Sequence, residues 1–181
     1  MHIDAIYDFL CPWCLIAKRQ LAIALEQEGD AGLTITCHQF MLYPDFAFEK
    51  ITRGAASIDG HRLVRWAEKP RLGSAGDLIK TIARGFYEQA EVIDLAFLVR
   101  TATEHGFDPA KAFAHLESEA DLVEPFAETA EWRRRGVNSM PHFRLHFADG
   151  NTEILTTTLF EAFADALRRD RQLAPLAATG S

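Results

Sequence analysis

The chain has 181 residues, enough for one domain with an insertion and for a sizeable core. Hydrophobic residues make up 48%, which excludes a disordered chain, and a formal net charge of −7 argues against a nucleic-acid binder, which needs a basic face. No apolar run approaches the roughly 18 residues of a membrane span, so no membrane association is expected.

The opening MHIDAIYDFL carries no basic segment, no long apolar run and no small-residue cleavage site. No secretory signal is expected, and the expected compartment is the cytoplasm. Residues 2 to 9 alternate loosely and carry Ile, Tyr and Phe, which predicts a first strand. From Pro12 the pattern changes, with Leu15, Ile16, Leu21 and Leu25 at helical spacings. Pro12 suits a first helical turn, where its missing N–H leaves no bond unmade. Gly29 and Gly32 mark the helix end, and LTITCHQF, 33 to 40, predicts a second strand. Pro44 ends it, and FAFEKITRGAASIDG, 46 to 60, reads as a loop.

Residues 60 to 135 carry almost no strand signal. HRLVRWAEK sets Leu63, Val64 and Trp66 on one side before Pro70. DLIKTIARGFYEQ places Leu78, Ile79, Ile82, Phe86 and Tyr87 at helical offsets. VIDLAFLVRTATEHG stops at Gly106, and Asp108-Pro109 predicts a cap and first-turn proline for the next helix. Pro125 starts or kinks the last helix of this block, whose end at Arg133 to Arg135 suits the helix dipole. Four or five helices are expected, with Trp66 and Phe86 in their core. After Gly136 the strands return: PHFRLHF alternates, Asp149-Gly150 predicts a hairpin turn and EILTT the return strand. Thr158 and Glu161 fit a capping box for a final helix with Leu159, Phe160, Phe163 and Leu167 on its apolar side. Residues 172–181 read as a loose tail.

The order βαβ, helical block, ββα predicts an α/β class with a mixed sheet, the thioredoxin architecture carrying an all-helical insertion. The expected division is a discontinuous thioredoxin-like domain over 1–48 and 137–171, a helical insertion over 49–136 and the tail.

The chemistry concentrates at Cys11 and Cys14, three residues apart where the first strand meets the first helix. A redox pair, half of a metal site and two packed thiols are the competing readings. A zinc site needs two more ligands. Cys37 and His38 are adjacent, so strand alternation sends them to opposite faces; no metal is expected. In a reducing compartment the pair is no structural disulfide. A helix N-terminus favours an anion, and such a position lowers a thiol pKa from about 8.5 to between about 3.5 and 7.5. Cys11, near the N-cap, is therefore the expected nucleophile. Cys14, almost a turn further in, is the expected resolver of the mixed disulfide. Pro12 starts the turn and Trp13 offers a flat apolar surface. Met140-Pro141, before the third strand, is an X-Pro bond that can be cis at modest cost. A cis Pro141 would set the Met140 backbone beside Cys11, where an incoming peptide could pair with it. Asp8 is the nearest acid and a candidate proton relay. Cys37 is expected to be a buried strand thiol, and His38 and His142 to be ordinary.

The segments DFLCPWC (8–14), FMLYPD (40–45), HRLVRWA (61–67) and GVNSMPHF (136–143) resemble the DsbA-like thioredoxin superfamily. Within it they are similar to the FrnE-type proteins, relatives of 2-hydroxychromene-2-carboxylate isomerases and kappa-class glutathione transferases. The resemblance runs over about residues 3 to 168. It implies thiol–disulfide oxidoreductase activity, with Cys11 attacking, Cys14 resolving and a groove for peptide or thiol near Met140 and Pro141. The expected partners are a thiol or disulfide protein or a small thiol. No cofactor is expected beyond the redox-active cysteine pair, with glutathione a candidate co-substrate. The chain departs from the family in three places. Ser139 and Met140 stand where Gly and then Val or Thr are usual. Ala5 occupies the position of a buried acid, and Cys37 cannot by itself supply a second pair. Two other readings stand beside this one: a glutathione-dependent isomerase or transferase, and a non-catalytic peptide-binding module.

Overall fold

The computed structural model describes residues 1–29, 32–42, 57–69 and 75–177, the last four by backbone alone. Pro44, Pro70 and the stretch 46–56 of the expected loop lie outside the described residues. The elements follow in the order β1 (His2–Tyr7), α1 (Pro12–Glu28), β2 (Thr34–Gln39), α2 (Ser57–Glu68), α3 (Ala75–Glu88), α4 (Leu95–Glu104), α5 (Pro109–Glu117), α6 (Glu124–Arg134), β3 (His142–His146), β4 (Thr152–Leu155) and α7 (Phe160–Ala177). They form two compact units, one of residues 1–7, 13–38 and 137–181 and one of residues 8–12 and 39–136.

The first unit is built on a four-stranded mixed sheet in the order β2-β1-β3-β4. β1 and β2 are joined by the helical crossover that parallel neighbours require. β3 lies antiparallel to β1, with Ala5 opposite Phe143, and β4 antiparallel to β3. Alternation decides the faces. Ile3, Ala5, Phe143 and Leu145 point into one core with Ala17, Leu21 and Ala24 of α1 and Phe163, Ala164 and Leu167 of α7. The small residues of α1 and α7 are fully buried there and let Phe143 and Phe163 meet edge to face at 5.1 Å. On the opposite side of β1, Asp4 accepts hydrogen bonds from Nε2 of His2 (3.0 Å), His38 (2.8 Å) and His146 (2.9 Å). These three donors outweigh the cost of partial burial and hold the Asp4 carboxyl down at about 2.

The second unit contains α2 to α6, five helices where four or five are expected. Asp94 caps α4 by accepting from Phe97 N, and Asp108 caps α5 by accepting from Ala110 N and Lys111 N, with Pro109 in the first turn as expected. Arg62 of α2 is buried, and its guanidinium donates to the carbonyls of His115, Leu116, Ser118 and Ala120. It thereby satisfies the carbonyls left over at the end of α5. Trp66 packs against Phe107 and stacks near His115, with ring centroids 5.5 and 5.9 Å apart.

Three expectations need correction. Ser57 to Gly60, read as loop, form the first turn of α2. Thr157, not Thr158, makes the side-chain bond before α7, accepting from Leu159 N at 3.1 Å, and the helix starts at Phe160. α7 runs on to Ala177, so 172–177 are helical rather than a loose tail. Gln172, Leu173 and Ala174, before Pro175, are good helix formers that extend a helix already nucleated by its packed first turns.

Candidate functional site

β1 ends at Tyr7, and residues 8 to 11 carry the chain to the first residue of α1, Pro12. Cys11 therefore sits at the helix entrance, and Cys14 is the third residue of the helix. Both are buried, and no disulfide joins them. The first turn of α1 carries no acidic side chain, so nothing in it offsets the positive end of the helix dipole for a thiolate. Trp13, between the cysteines, is 57% exposed. A ring of that size left in water is a ready apolar contact surface.

Asp8 organises the turn before Cys11. Its carbonyl accepts from Cys11 N at 3.3 Å, and its carboxylate accepts from Leu10 N at 3.2 Å. The same carboxylate accepts from Leu42 N at 2.8 Å and from His61 Nε2 at 3.4 Å. Burial alone pushes the Asp8 carboxyl up, but His61 and the two amides outweigh it and hold it below the usual range. Phe9 is fully buried, and its ring lies 4.8 Å from that of His61. His61 belongs to HRLVRWA, yet neither its period nor its composition marks it. A buried histidine whose only sequence signal is a polar letter on an apolar helix face looks like many others.

The sheet unit holds the other expected residues. The Met140–Pro141 peptide is cis, and Pro141 is buried at the entrance to β3. Met140 is half-buried and keeps part of its side chain in reach of solvent. His142, next along, is 3% exposed, and neither ring nitrogen has a hydrogen-bond partner among the described residues. Burial first, then the charge of Arg144, pushes its pKa down. Ala5 is packed in the core opposite Phe143. Cys37 is half-buried against that core, 3.9 Å from Lys18 Nζ, whereas His38 turns to Asp4. The two lie on opposite faces of β2, as alternation predicts.

A four-stranded sheet backed by α1 and α7, with Cys-Pro-Trp-Cys at the start of α1, defines a thioredoxin-fold protein. The chain belongs to the family of the DSBA-like thioredoxin domain, whose pattern matches residues 2–168. No protein of curated function matches it significantly. Among solved structures it is similar to a probable DsbA oxidoreductase from Streptomyces coelicolor, at 21% identity over 95% of this chain and 90% of that one, with a TM-score of 0.81. It is also similar to the cytosolic disulfide reductase DsbM from Pseudomonas aeruginosa, at 20% identity over 96% and 100% of the two chains, with a TM-score of 0.69. DsbM has been solved with GSH as well. A third similar structure is a 2-hydroxychromene-2-carboxylate isomerase, at 18% identity over 97% and 99%, with a TM-score of 0.71. Among the described residues no helix is long and apolar enough to cross a membrane.

Proposed function

We propose that the protein is a thiol–disulfide oxidoreductase of the FrnE type, working through Cys11 and Cys14 in the cytoplasm. The observation that carries this is the position of the two cysteines, one at the entrance and one in the first turn of the same helix. The Cys11 thiolate attacks one sulfur of a substrate disulfide and forms a mixed disulfide, and the other substrate sulfur leaves as a thiolate. Cys14, as thiolate, then attacks the Cys11 sulfur. The mixed disulfide breaks, the Cys11–Cys14 disulfide forms and the substrate leaves with two electrons. Run backwards, the same steps oxidise a substrate dithiol. Pro12, Trp13, Met140 and Pro141 are the residues proposed to meet the substrate, a thiol or disulfide protein or a small thiol such as glutathione. In this reading Asp8 acts on Cys11 through the turn it closes; its depressed pKa makes it a poor proton acceptor near neutrality.

A second reading rests on the fold shared with the isomerase: the site would activate the thiol of glutathione and leave Cys14 without a task. The two separate cleanly. In a disulfide-reduction assay with insulin, Cys11→Ser is expected to abolish turnover. Cys14→Ala is expected to stall at a mixed disulfide on Cys11 that mass spectrometry detects. Full turnover by Cys11→Ser would sink the proposal, and full turnover by Cys14→Ala would favour the glutathione-dependent reading.

A further inference from the structure

We infer that His61 is a positioning residue for the Cys11 nucleophile: its Nε2–H holds the Asp8 carboxylate, and Asp8 holds the turn that presents Cys11. This deepens the proposed function and rests on Cys11 being the attacking thiol.

All the participants belong to the unit made of residues 8–12 and 39–136. Asp8 closes the turn twice, through its carbonyl to Cys11 N and through its carboxylate to Leu10 N. A carboxylate at 3% exposure needs donors around it, and the amides of Leu10 and Leu42 keep it charged even without a third. Two of its donors are backbone amides, and His61 supplies a side-chain donor, so His61 is the point at which α2 can act on the turn. The fit around it is close. His61 is fully buried and its ring lies against Phe9, the residue after Asp8. Gly60 precedes it, and a Cβ there would come within 3.0 Å of the Phe9 ring. The start of α2 thus grips two successive residues of the turn, one through hydrogen bonding and one through packing. A leucine at position 61 would fill the space and leave the carboxylate short of a donor.

The consequence for Cys11 is electrostatic. Held charged by Leu10 N and Leu42 N alone, the Asp8 carboxylate opposes formation of the Cys11 thiolate more strongly than when the His61 bond disperses its charge. Among the described residues, charges on α2 and α6 are engaged with different groups. On α2, Asp59 pairs with Arg62 at 2.8 Å and Arg65 with Glu128 of α6 at 3.0 Å. Arg133 of α6 donates to the Leu42 carbonyl.

The test is the pH dependence of iodoacetamide alkylation at Cys11, read on the Cys11 peptide by mass spectrometry in the reduced full-length protein. His61→Leu is expected to move the midpoint up by about one pH unit, the scale on which a nearby charge shifts a thiol. His61→Gln, which keeps a donor, is expected to stay within a few tenths of the parent. With Asp8→Asn already in place, His61→Leu is expected to add no shift, because the charge it offsets is gone. A folded His61→Leu that titrates Cys11 like the parent overturns the inference, and so does a His61→Gln that shifts as far as His61→Leu. Should His61→Leu fail to fold, nitrogen-15 spectra of the parent decide: the inference requires the His61 proton on Nε2, and a neutral ring protonated on Nδ1 refutes it. Alkylation needs no disulfide substrate. A protein that exchanges no disulfides would therefore defeat the proposed function, while a His61-dependent Cys11 titration would still stand.

Discussion

His142 of the sheet unit and Asp8 of the helical unit are two buried titratable side chains, and their surroundings treat them oppositely. Asp8 has three donors among the described residues and keeps its charge. His142 has none among the described residues and sits near the positive Arg144, so burial and that charge favour the neutral ring. The folded state thus binds this proton less well than the unfolded chain. Stability is then lost as pH falls from the ordinary histidine value of about 6.5 toward the lower folded value. His115 titrates in the same sense, pushed down first by burial against the opposing pull of Asp121. Urea unfolding is expected to show a midpoint that drops between pH 7 and pH 5. His142→Gln is expected to flatten that drop in part, leaving the share that belongs to His115. A slope unchanged in His142→Gln would show that His142 does not carry it. At this scale the sequence exposes Cys11 and Cys14 because their spacing at a strand-to-helix boundary is a local signal. It hides His61, whose importance comes from a partner 53 positions away.

Helix α3 shows how packing can override local preference. Gly85 lies inside it, where glycine is worse than alanine by about 1 kcal/mol. The reason is on α4: a Cβ at position 85 would lie 2.5 Å from the Phe97 ring tip, and Phe97 is buried. Gly85→Ala is therefore expected to destabilise by about 1–3 kcal/mol in chemical denaturation despite its better propensity. A stabilised variant would mean that the ring has room to move. On β1, Asp4 collects three imidazole donors on one face of the sheet and is held at about 2. The sign follows from the depressed value: the contribution is present above the ordinary aspartate pKa of about 3.9 and is lost as pH falls toward 2. It amounts to about 1–2 kcal/mol after screening of the part-exposed pairs. Asp4→Asn is expected to unfold more readily than the parent at pH 6 and to lose that difference near pH 2; a constant difference across the range would contradict the account. Elements with long periodic faces, such as α1, α3 and α4, are legible from sequence because burial imposes the period. The start of α2 is not, since Ser-Ile-Asp-Gly reads as a turn until Gly60 is seen to make room for Phe9. The Thr157 turn before α7 is equally silent, because Thr157 and Thr158 are alike in sequence and backbone geometry alone chooses between them.

For the whole molecule, the order of elements anticipates both the sheet unit and the helical unit, because βαβ and ββα halves leave little choice of topology. Residues 8–12 belong to the same compact unit as the helices. Asp8 and Phe9 meet His61 and Gly60 of α2, and no local pattern announces these contacts. The central claim is that Cys11 and Cys14 act as one dithiol. It is tested most directly by equilibrating the full-length protein across a series of glutathione redox buffers and quantifying the thiol state of each cysteine. The account predicts that Cys11 and Cys14 oxidise together in one two-electron transition, with a slope of about 30 mV per tenfold change, and that Cys37 does not follow them. Separate oxidation of Cys11 and Cys14, each ending as its own mixed disulfide with glutathione, would contradict it.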